Sequence, residues 1–301
     1  MTKLNFTYQG RGQERLDSWL SHQVPDKSRS ELQSLIKQGL VCVNEQLVLQ
    51  PSQSLRSGDV VAVDFPPPFK LEPDASIKLE VLAAEPTFLV INKPAGLVVH
   101  PGSGNLDRTL VNGLIAHYPE ISGVGEDPMR PGIVHRLDKE TSGVLVIARN
   151  QTEYNNLQRQ FREREVEKNY LAVLAGKLEP SSGVIKGFMR RSSVVPVKRE
   201  LVVTGAGKDS QTNYVVLARQ NDKTLVKATP KTGRTHQLRV HFASLGHPIL
   251  GDTLYGPRRQ SGPLQLHAKN IRFRDGRGIW HEYEAPCPPS FIWPEVDKIS
   301  C

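Results

Sequence analysis

Cysteines and metal-binding motifs are scarce in this sequence. Its three cysteines are Cys42, Cys287 and Cys301, an odd number at distant positions, so they predict neither a disulfide framework nor a zinc knuckle. None of its nine histidines belongs to a His-Glu-x-x-His motif, which is a usual arrangement of metal ligands on a helix. We therefore expect reduced thiols and a chemistry that uses no metal.

Long apolar runs are missing as well. No stretch of the chain reaches the roughly 18 apolar residues of a membrane-spanning helix, and the N-terminal residues lack the apolar core of a signal peptide. We therefore expect a soluble, cytoplasmic protein with no membrane partner. Its 301 residues suffice for two domains of about 150 residues each.

Positive charge is concentrated in part of the chain. The net charge is +8, from 39 Lys and Arg against 31 Asp and Glu. Residues 13–65 carry a net charge of −2, whereas residues 223–239 hold five cations and no acid, and residues 258–277 hold six cations and one acid. Such stretches suit a polyanion whose phosphates supply most of the affinity, although a basic, solvated surface shows the same composition.

The spacing of apolar residues predicts a small N-terminal domain over residues 13–65. Two short helices are indicated by apolar residues at helical spacing, the first around Trp19 and the second around Leu35. Ser28 and Ser30 are the candidate caps of the second helix. An alternating hairpin and a strand follow, so this domain is a helix-helix-hairpin module.

Three consecutive prolines, Pro66 to Pro68, cannot continue a strand or a helix and favour a stiff spacer. We therefore place a linker at residues 66–74 and a second domain at residues 75–301. Helices are predicted there at 151–165 and 235–245. The clearest strands are predicted at Phe88 to Asn92, Val144 to Ala148, Tyr170 to Leu174, Tyr214 to Arg219 and Leu225 to Ala228. This pattern favours an α+β fold with a mixed, largely antiparallel sheet.

A dense group of polar residues lies between two apolar segments, from His135 to Gly143. A loop held between buried strands is a rigid place for reactive side chains, and Asp138 is a candidate for one of them. An aspartate at this point also fits a turn or a helix cap. The pattern alone leaves both interpretations open.

The same segment, His-Arg-Leu-Asp-Lys-Glu-Thr-Ser-Gly from His135 to Gly143, resembles the signature of the RluA family of pseudouridine synthases. Further segments match that family in order. They are Asn92 to Pro101, Glu167 to Tyr170, Gly233 to His241, Gly251 to Gly256 and Leu266 to Ala268. The resemblance covers residues 80 to 290 and is nearest to the D type of the ribosomal large-subunit synthases, which modifies 23S RNA.

Residues 13–65 resemble the RNA-binding module named after ribosomal protein S4. The matching segments are Arg15 to Asp17, Ser28 to Ser30, Gly39 to Asn44 and Gly58 to Asp59. The resemblance implies RNA contacts from a local basic face that includes Arg29 and Lys37, together with Arg15 and Lys27. Because the module is net acidic, a structural or protein-contacting role remains open beside RNA binding.

The resemblance implies an enzyme that isomerises uridine to pseudouridine in 23S ribosomal RNA, as a monomer and without metal or organic cofactor. Asp138 is then the carboxylate that acts as nucleophile or base at the sugar of a flipped-out uridine. Tyr170 packs on the target base, Arg239 pairs with the aspartate, and Arg136 fills the gap or holds the flipped backbone. The expected phosphate contacts are Lys168, Lys231 and Arg234.

Several of these assignments have an alternative that the residue types also allow. Tyr170 fits a core position, and Arg239 fits a surface phosphate contact. A non-catalytic RNA-binding or ribosome-assembly factor would keep the fold, and a glycosidase-like hydrolase would use Glu140 as its second acid. The intact Asp138, Tyr170 and Arg239 favour the synthase. The histidines of the matching segments are expected to be structural rather than general bases; they are His135, His236 and His241.

Overall fold

The computed structural model describes residues 2–67, 70–102, 104–257 and 262–293. The chain divides into two compact units, Met1–Lys70 and Leu71–Cys301. In the described part of the chain, no helix is long and apolar enough to cross a membrane. Parts of the predictions lie outside the described residues, namely Pro68 and Phe69 of the linker, Arg258 and Arg259 of the basic stretch, and Cys301.

Among its described residues, the N-terminal unit contains two helices, α1 (Leu16–Gln23) and α2 (Arg29–Lys37). Its strands are β1 (Thr2–Thr7), β2 (Glu14–Arg15), β3 (Val41–Val43), β4 (Gln46–Leu47), β5 (Ser54–Leu55) and β6 (Val60–Phe65). Four strands form an antiparallel sheet in the order β1-β6-β3-β4, and β2 pairs with β5. The predicted order of two helices, a hairpin and a strand is present.

The second helix begins where its local chemistry predicts. Ser28 Oγ accepts a hydrogen bond of 3.3 Å from the backbone N–H of Glu31, and the Glu31 carboxylate accepts one of 2.8 Å from the N–H of Ser28. This is a capping box, so Ser28 is the cap and Ser30 lies in the first turn. Leu32 and Ile36 are fully buried and pack in the apolar core of the unit.

Among its described residues, the C-terminal unit contains three α-helices, α3 (Leu110–His117), α4 (Gln151–Glu163) and α5 (Gln237–Ser244). Its strands are β7 (Glu80–Ala84), β8 (Phe88–Lys93), β9 (Ser142–Ala148), β10 (Glu167–Ala175), β11 (Ser182–Arg191), β12 (Arg199–Val202), β13 (Lys208–Gln220), β14 (Lys223–Pro230), β15 (Leu266–Arg274) and β16 (Trp280–Glu284). A single-turn 3-10 helix lies at Pro119–Ile121.

These strands form one sheet in the order β12-β11-β13-β14-β10-β15-β9-β8-β7, with β16 alongside β15. Between the described strands, every pairing is antiparallel except that of β9 with β15. The predicted α+β fold with a mixed, largely antiparallel sheet is therefore confirmed.

The two predicted helices of this unit present their apolar faces to the core. In α4, Tyr154 and Leu157 are buried in a cluster with β8 and β9, and in α5, Leu238 and Phe242 pack with β10 and β14. Each helix is shorter than predicted. The chain leaves α4 at Arg164, which has a left-handed φ of 63°, and enters α5 at His236, which has a φ of 59°.

Candidate active site

Asp138 lies in the loop that leads into β9. Its carbonyl oxygen accepts a hydrogen bond of 3.1 Å from the N–H of Thr141, which closes a turn. Strand β9 then runs parallel to β15, with Gly143 opposite Ala268. Gly143 has a φ of 116°, and a Cβ at this position would overlap the backbone of Ala268, so glycine allows this close approach. The parallel pairing therefore holds the loop that carries Asp138.

Lys93, at the end of β8, holds the other side of this loop through hydrogen bonds. Its side chain is fully buried, and its Nζ donates to the carbonyl oxygens of Pro94 at 2.7 Å, Leu97 at 2.9 Å and Lys139 at 3.1 Å. Burial lowers the pKa of Lys93 to about 7, although nearby carboxylates act in the opposite direction. Lys93 therefore holds the residue next to Asp138 against the end of β8, and Lys93 was not among the predicted site residues.

Arg239 extends from α5 to two carboxylates. Its Nε and Nη2 donate hydrogen bonds of 2.8 Å to the two oxygens of Asp252, and its Nη1 lies 3.9 Å from Oδ2 of Asp138. Burial alone would raise the pKa of Asp252, but Arg239 and the N–H groups of Tyr255 and Leu254 hold that pKa below its ordinary value. The expected contact with Asp138 is present, but Asp252, which was not among the predicted site residues, is the closer partner.

Tyr170 lies near the start of β10, where two apolar clusters of the core meet. Its side chain is half-buried and lines the same cleft as Asp138 and Arg239. Burial raises the pKa of its hydroxyl, and the charge of Asp138 adds to this effect, so the phenol stays protonated at neutral pH. Tyr170 thus has both a core contact and a face on the cleft.

The cleft around these three residues has a volume of about 560 Å³. Among the described residues that line it, seven side chains are cationic and one, Asp138, is a carboxylate. Four of the predicted RNA contacts lie in this set, whereas Arg162 and Arg164 were missed. Cations are common at the C-terminal end of a helix such as α4 for electrostatic reasons, so their positions carried no separate signal. The seven cations are Arg136, Arg162, Arg164, Lys168, Lys231, Arg234 and Arg239.

A second cavity, of about 300 Å³, also borders Asp138. Arg136 is exposed between the two cavities, and its Nη1 lies 3.3 Å from Nε2 of the buried His100. His236 and Arg239 border both cavities too. Asp138 therefore borders two cavities of the same unit, and the second cavity includes Glu140.

His135 and Lys168 both contact the ring of Phe161. The His135 ring stacks on Phe161 at 4.6 Å, and its Nε2 accepts a hydrogen bond of 3.0 Å from the N–H of Val146. Burial lowers the pKa of His135 to about 3, so this neutral histidine has a structural contact. Lys168 Nζ lies 5.4 Å from the Phe161 ring centroid. Burial, with help from the charge of Lys231, lowers the pKa of Lys168 to about 8.

The remaining predicted RNA contacts, Arg29 and Lys37, belong to the N-terminal unit and do not line this cleft. Arg29 donates hydrogen bonds of 3.1 and 3.3 Å to the fully buried Asp17, which also binds Arg15. Hydrogen bonds from Arg15, and then from Arg29, hold the pKa of Asp17 below its ordinary value although burial opposes them. Lys37 is exposed, two turns further along α2. Asp17 therefore orients two half-exposed arginines of this net acidic module.

The described residues contain no group of three or more His, Cys, Asp or Glu side chains arranged as metal ligands are.

A family model for RNA pseudouridylate synthase matches residues 87–244, which is more than half of the chain and includes Asp138, Tyr170 and Arg239. The chain belongs to the RNA pseudouridine synthase family. The synthase is thus an isomerase that acts on RNA.

Comparison with known proteins extends this assignment to both units of the synthase. A model of the S4 domain matches residues 14–61, so the expected S4-like module is confirmed. An uncharacterised RNA pseudouridine synthase of Aquifex aeolicus is 44% identical over 267 residues, which cover 87% of this chain and 83% of the relative. The ribosomal large subunit pseudouridine synthase D of Neisseria meningitidis serogroup B is 40% identical, over 93% of this chain and 72% of the relative.

The fold of the synthase is also found in a solved structure. The human RNA pseudouridylate synthase domain containing 1 superposes with a TM-score of 0.59 at 30% sequence identity, and the match covers 75% of this chain and 95% of that protein. The likeness in sequence and the likeness in fold therefore indicate the same family.

Proposed function

We propose that this synthase isomerises uridine to pseudouridine in 23S ribosomal RNA of the large subunit, with Asp138 as the reacting carboxylate. The observation that carries the proposal is that Asp138 is the one carboxylate among the described residues of a cleft lined by seven cations. The choice of RNA is supported by relatives named ribosomal large subunit pseudouridine synthase D, which are 40% and 35% identical over 93% of this chain.

The reaction exchanges one bond to the sugar for another. The bond between C1′ of the ribose and N1 of uracil breaks, the uracil turns, and a new bond joins C1′ to C5. The proton on C5 is lost and N1 ends with a proton, so atoms and electrons balance without an oxidant, a reductant or an energy carrier. Asp138 acts either as the nucleophile at C1′ or as the base at the sugar.

The neighbours of Asp138 suit either role. Arg239 lies 3.9 Å away and places an opposite charge beside the carboxylate. Its bidentate bond to Asp252 keeps the guanidinium in place, so Arg239 orients Asp138 without forming a short ion pair with it. Tyr170 offers a neutral phenol ring, which packs against the uracil in the cleft.

The target uridine is flipped out of its helix, because a stacked base cannot bring its glycosidic bond to Asp138; flipping costs a few kcal/mol. Arg136 is suited to fill the gap or hold the flipped backbone, since it is exposed beside Asp138 and borders both cavities. The phosphates on either side contact Lys168, Lys231 and Arg234. A phosphate near Lys168 favours the protonated ammonium group, which burial disfavours.

The two units divide recognition and chemistry. Residues 13–65 select the RNA through a face that includes Arg29 and Lys37, residues 66–74 link the units, and residues 75–301 carry out the isomerisation. The synthase acts as a cytoplasmic monomer without metal or organic cofactor.

Tritium release from 23S RNA labelled at C5 of uridine tests the proposal, because the proton on C5 is lost in the reaction. We expect Asp138→Asn to lower the rate by about 100-fold or more, since a catalytic acid or base contributes that much. The matched control is Asp222→Asn, in an exposed turn outside the cleft where the left-handed backbone tolerates asparagine.

Two results would contradict the proposal in different ways. Equal release by the wild type and Asp138→Asn would remove Asp138 from the reaction. If tritium were released from another RNA but not from 23S RNA, the proposed substrate would be wrong. The proposed role of Asp138 would be unaffected.

A further inference from the structure

Tyr255 was not among the predicted site residues, yet it contacts four residues at the border of the cleft. The guanidinium carbon of Arg239 lies 5.2 Å from its ring centroid, and Nζ of Lys198 lies 5.8 Å from the same centroid. Its hydroxyl oxygen lies 2.8 Å from the backbone nitrogen of Arg199 and 2.8 Å from Nδ1 of His236. Tyr255 therefore joins the first residue of β12 to the start of α5.

The hydroxyl of Tyr255 has one proton to donate and two lone pairs that accept. The backbone N–H of Arg199 can only donate, so the hydroxyl oxygen accepts there. Among the described residues, Nδ1 of His236 is the acceptor that the hydroxyl proton reaches. Nδ1 is then without a proton, and the neutral imidazole carries its proton on Nε2.

The surroundings of His236 also favour the neutral ring. Burial lowers its pKa; the charges of Asp138 and Asp252 oppose this effect, and those of Arg239 and Arg199 add to it. His236 is also the N-cap residue of α5, where the partial positive charge of a helix terminus disfavours a further cation. An uncharged imidazole with an Nε2–H group is therefore expected at neutral pH.

His236 stands beside the reacting carboxylate. It borders both cavities together with Asp138 and Arg239. Its left-handed φ of 59° turns the chain sharply between the cleft and α5. The charges of Asp138 and His236 influence each other, so an imidazolium at this place would weaken Asp138 as a nucleophile or base, whereas a neutral N–H leaves the charge of Asp138 free.

We propose that Tyr255 is a positioning residue that holds His236 as the Nε2–H tautomer, and that His236 donates a hydrogen bond through Nε2 to a neutral oxygen of the target nucleotide beside Asp138. A uracil carbonyl and a ribose hydroxyl are both suitable oxygens. The inference rests on the proposed role of Asp138 and adds a hydrogen-bond donor on the substrate side of it.

The first test examines the tautomer in the full-length protein without RNA. Long-range proton–nitrogen NMR correlations distinguish Nε2–H, Nδ1–H and imidazolium forms, and His236→Asn identifies the signal. We expect the Nε2–H form at neutral pH in the wild type and a mixture of tautomers in Tyr255→Phe. An Nδ1–H form or an imidazolium in the wild type would overturn the proposal, whatever RNA the enzyme modifies.

The second test measures rates on RNA from cells that lack the enzyme, so it does not depend on which RNA is the substrate. His236→Asn suits the left-handed backbone and keeps a partner for Tyr255, but its side chain is too short to place a donor at Nε2. His236→Gln is long enough to place one. We expect kcat to fall about tenfold in His236→Asn, as for the loss of one hydrogen bond, with KM nearly unchanged and partial recovery in His236→Gln.

Tyr255→Phe keeps the ring under Arg239 and removes only the hydroxyl. We expect kcat to fall about three- to tenfold. The double variant Tyr255→Phe with His236→Asn should be no slower than His236→Asn alone, because both substitutions act through the hydrogen bond from Nε2 to the nucleotide. Independent, multiplying effects of the two substitutions would show that Tyr255 does not act through His236 and would overturn the proposal.

Altered target nucleotides identify the accepting oxygen. If the ribose hydroxyl accepts, a 2′-deoxy target lowers the rate of the wild type. The same target does not lower the rate of His236→Asn, which has already lost the hydrogen bond. If a uracil carbonyl accepts, 2-thiouridine or 4-thiouridine shows that behaviour instead. Should all three substrates slow wild type and variant by the same factor, His236 does not donate to the nucleotide.

Discussion

Arg239 shows how much of the site depends on contacts between distant parts of the chain. Asp138, Tyr170 and Arg239 were identified from motifs, and the structure places all three around one cleft. The bidentate partner of Arg239 is instead Asp252, in a segment that matched the family but was given no role. A carboxylate in a loop has many ordinary explanations, so only its burial against a guanidinium singles it out.

Lys93 leads to a prediction about stability and pH. Its pKa in the folded protein is about 7, below the ordinary value of 10.5, so between these pH values the unfolded chain binds the extra proton. The free energy of unfolding of the wild type should therefore rise with pH across this window, by up to a few kcal/mol, and the rise should be absent in Lys93→Met.

Urea denaturation at several pH values checks this prediction. Other titrating groups are the same in both proteins, so the difference between their unfolding free energies isolates Lys93. Lys139→Met, which removes an exposed side chain beside Asp138, is the control and should follow the wild type. A constant difference between wild type and Lys93→Met from pH 7 to pH 10 would contradict the assigned pKa.

At the scale of elements, local patterns predicted those strands and helices whose own residues face a core. Strand β6 is the strand expected after the hairpin, and α2 begins directly after one of the two candidate caps. Strand β1 was not predicted, because five of its six residues are exposed and its strand conformation comes from pairing with β6. The parallel contact of β9 with β15 was likewise beyond a local pattern, since it joins Gly143 to Ala268.

That parallel contact should be sensitive to a single added methyl group. Gly143→Ala places a Cβ against the backbone of Ala268 and also strains a residue with φ of 116°. We expect a loss of several kcal/mol in unfolding free energy and a lower kcat, because the Asp138 loop leads into this strand. Urea denaturation and tritium release measure the two effects.

A second glycine separates the steric effect from the backbone strain. Gly205 has a similar φ of 106°, but nothing lies within 4 Å of a Cβ built there. Gly205→Ala should therefore lose only about 1–2 kcal/mol from strain and keep its activity. Equal losses in the two variants would mean that the approach of β9 to β15 does not require glycine.

At the scale of the whole molecule, the net charge is +8 although the N-terminal segment is acidic. The two units arrange their charged side chains differently. The C-terminal unit gathers cations from several segments around one carboxylate, whereas the N-terminal unit uses the buried Asp17 to orient Arg15 and Arg29. Counting charges along the chain indicated the first arrangement. It could not indicate the second, because the burial of Asp17 and its pairing with two arginines depend on the folded structure.

The cleft charges lead to a prediction about salt. RNA binding should weaken as salt rises, because cations that neutralise phosphates release bound counterions, and each such contact to a single strand contributes about 0.7 to the slope of log affinity against log salt. Lys231→Gln, which removes an exposed cleft cation, should reduce the steepness of that slope by about this amount. Binding isotherms of the full chain at several salt concentrations measure it.

Lys177→Gln is the matched control for this measurement, since Lys177 is also exposed but does not line the cleft. It should leave the slope unchanged, because a cation away from the RNA path releases no counterion. If Lys177→Gln and Lys231→Gln reduced the slope equally, the affinity would come from the positive surface in general. If the phosphates of the RNA bind along the cleft beside Asp138, only Lys231→Gln reduces the slope.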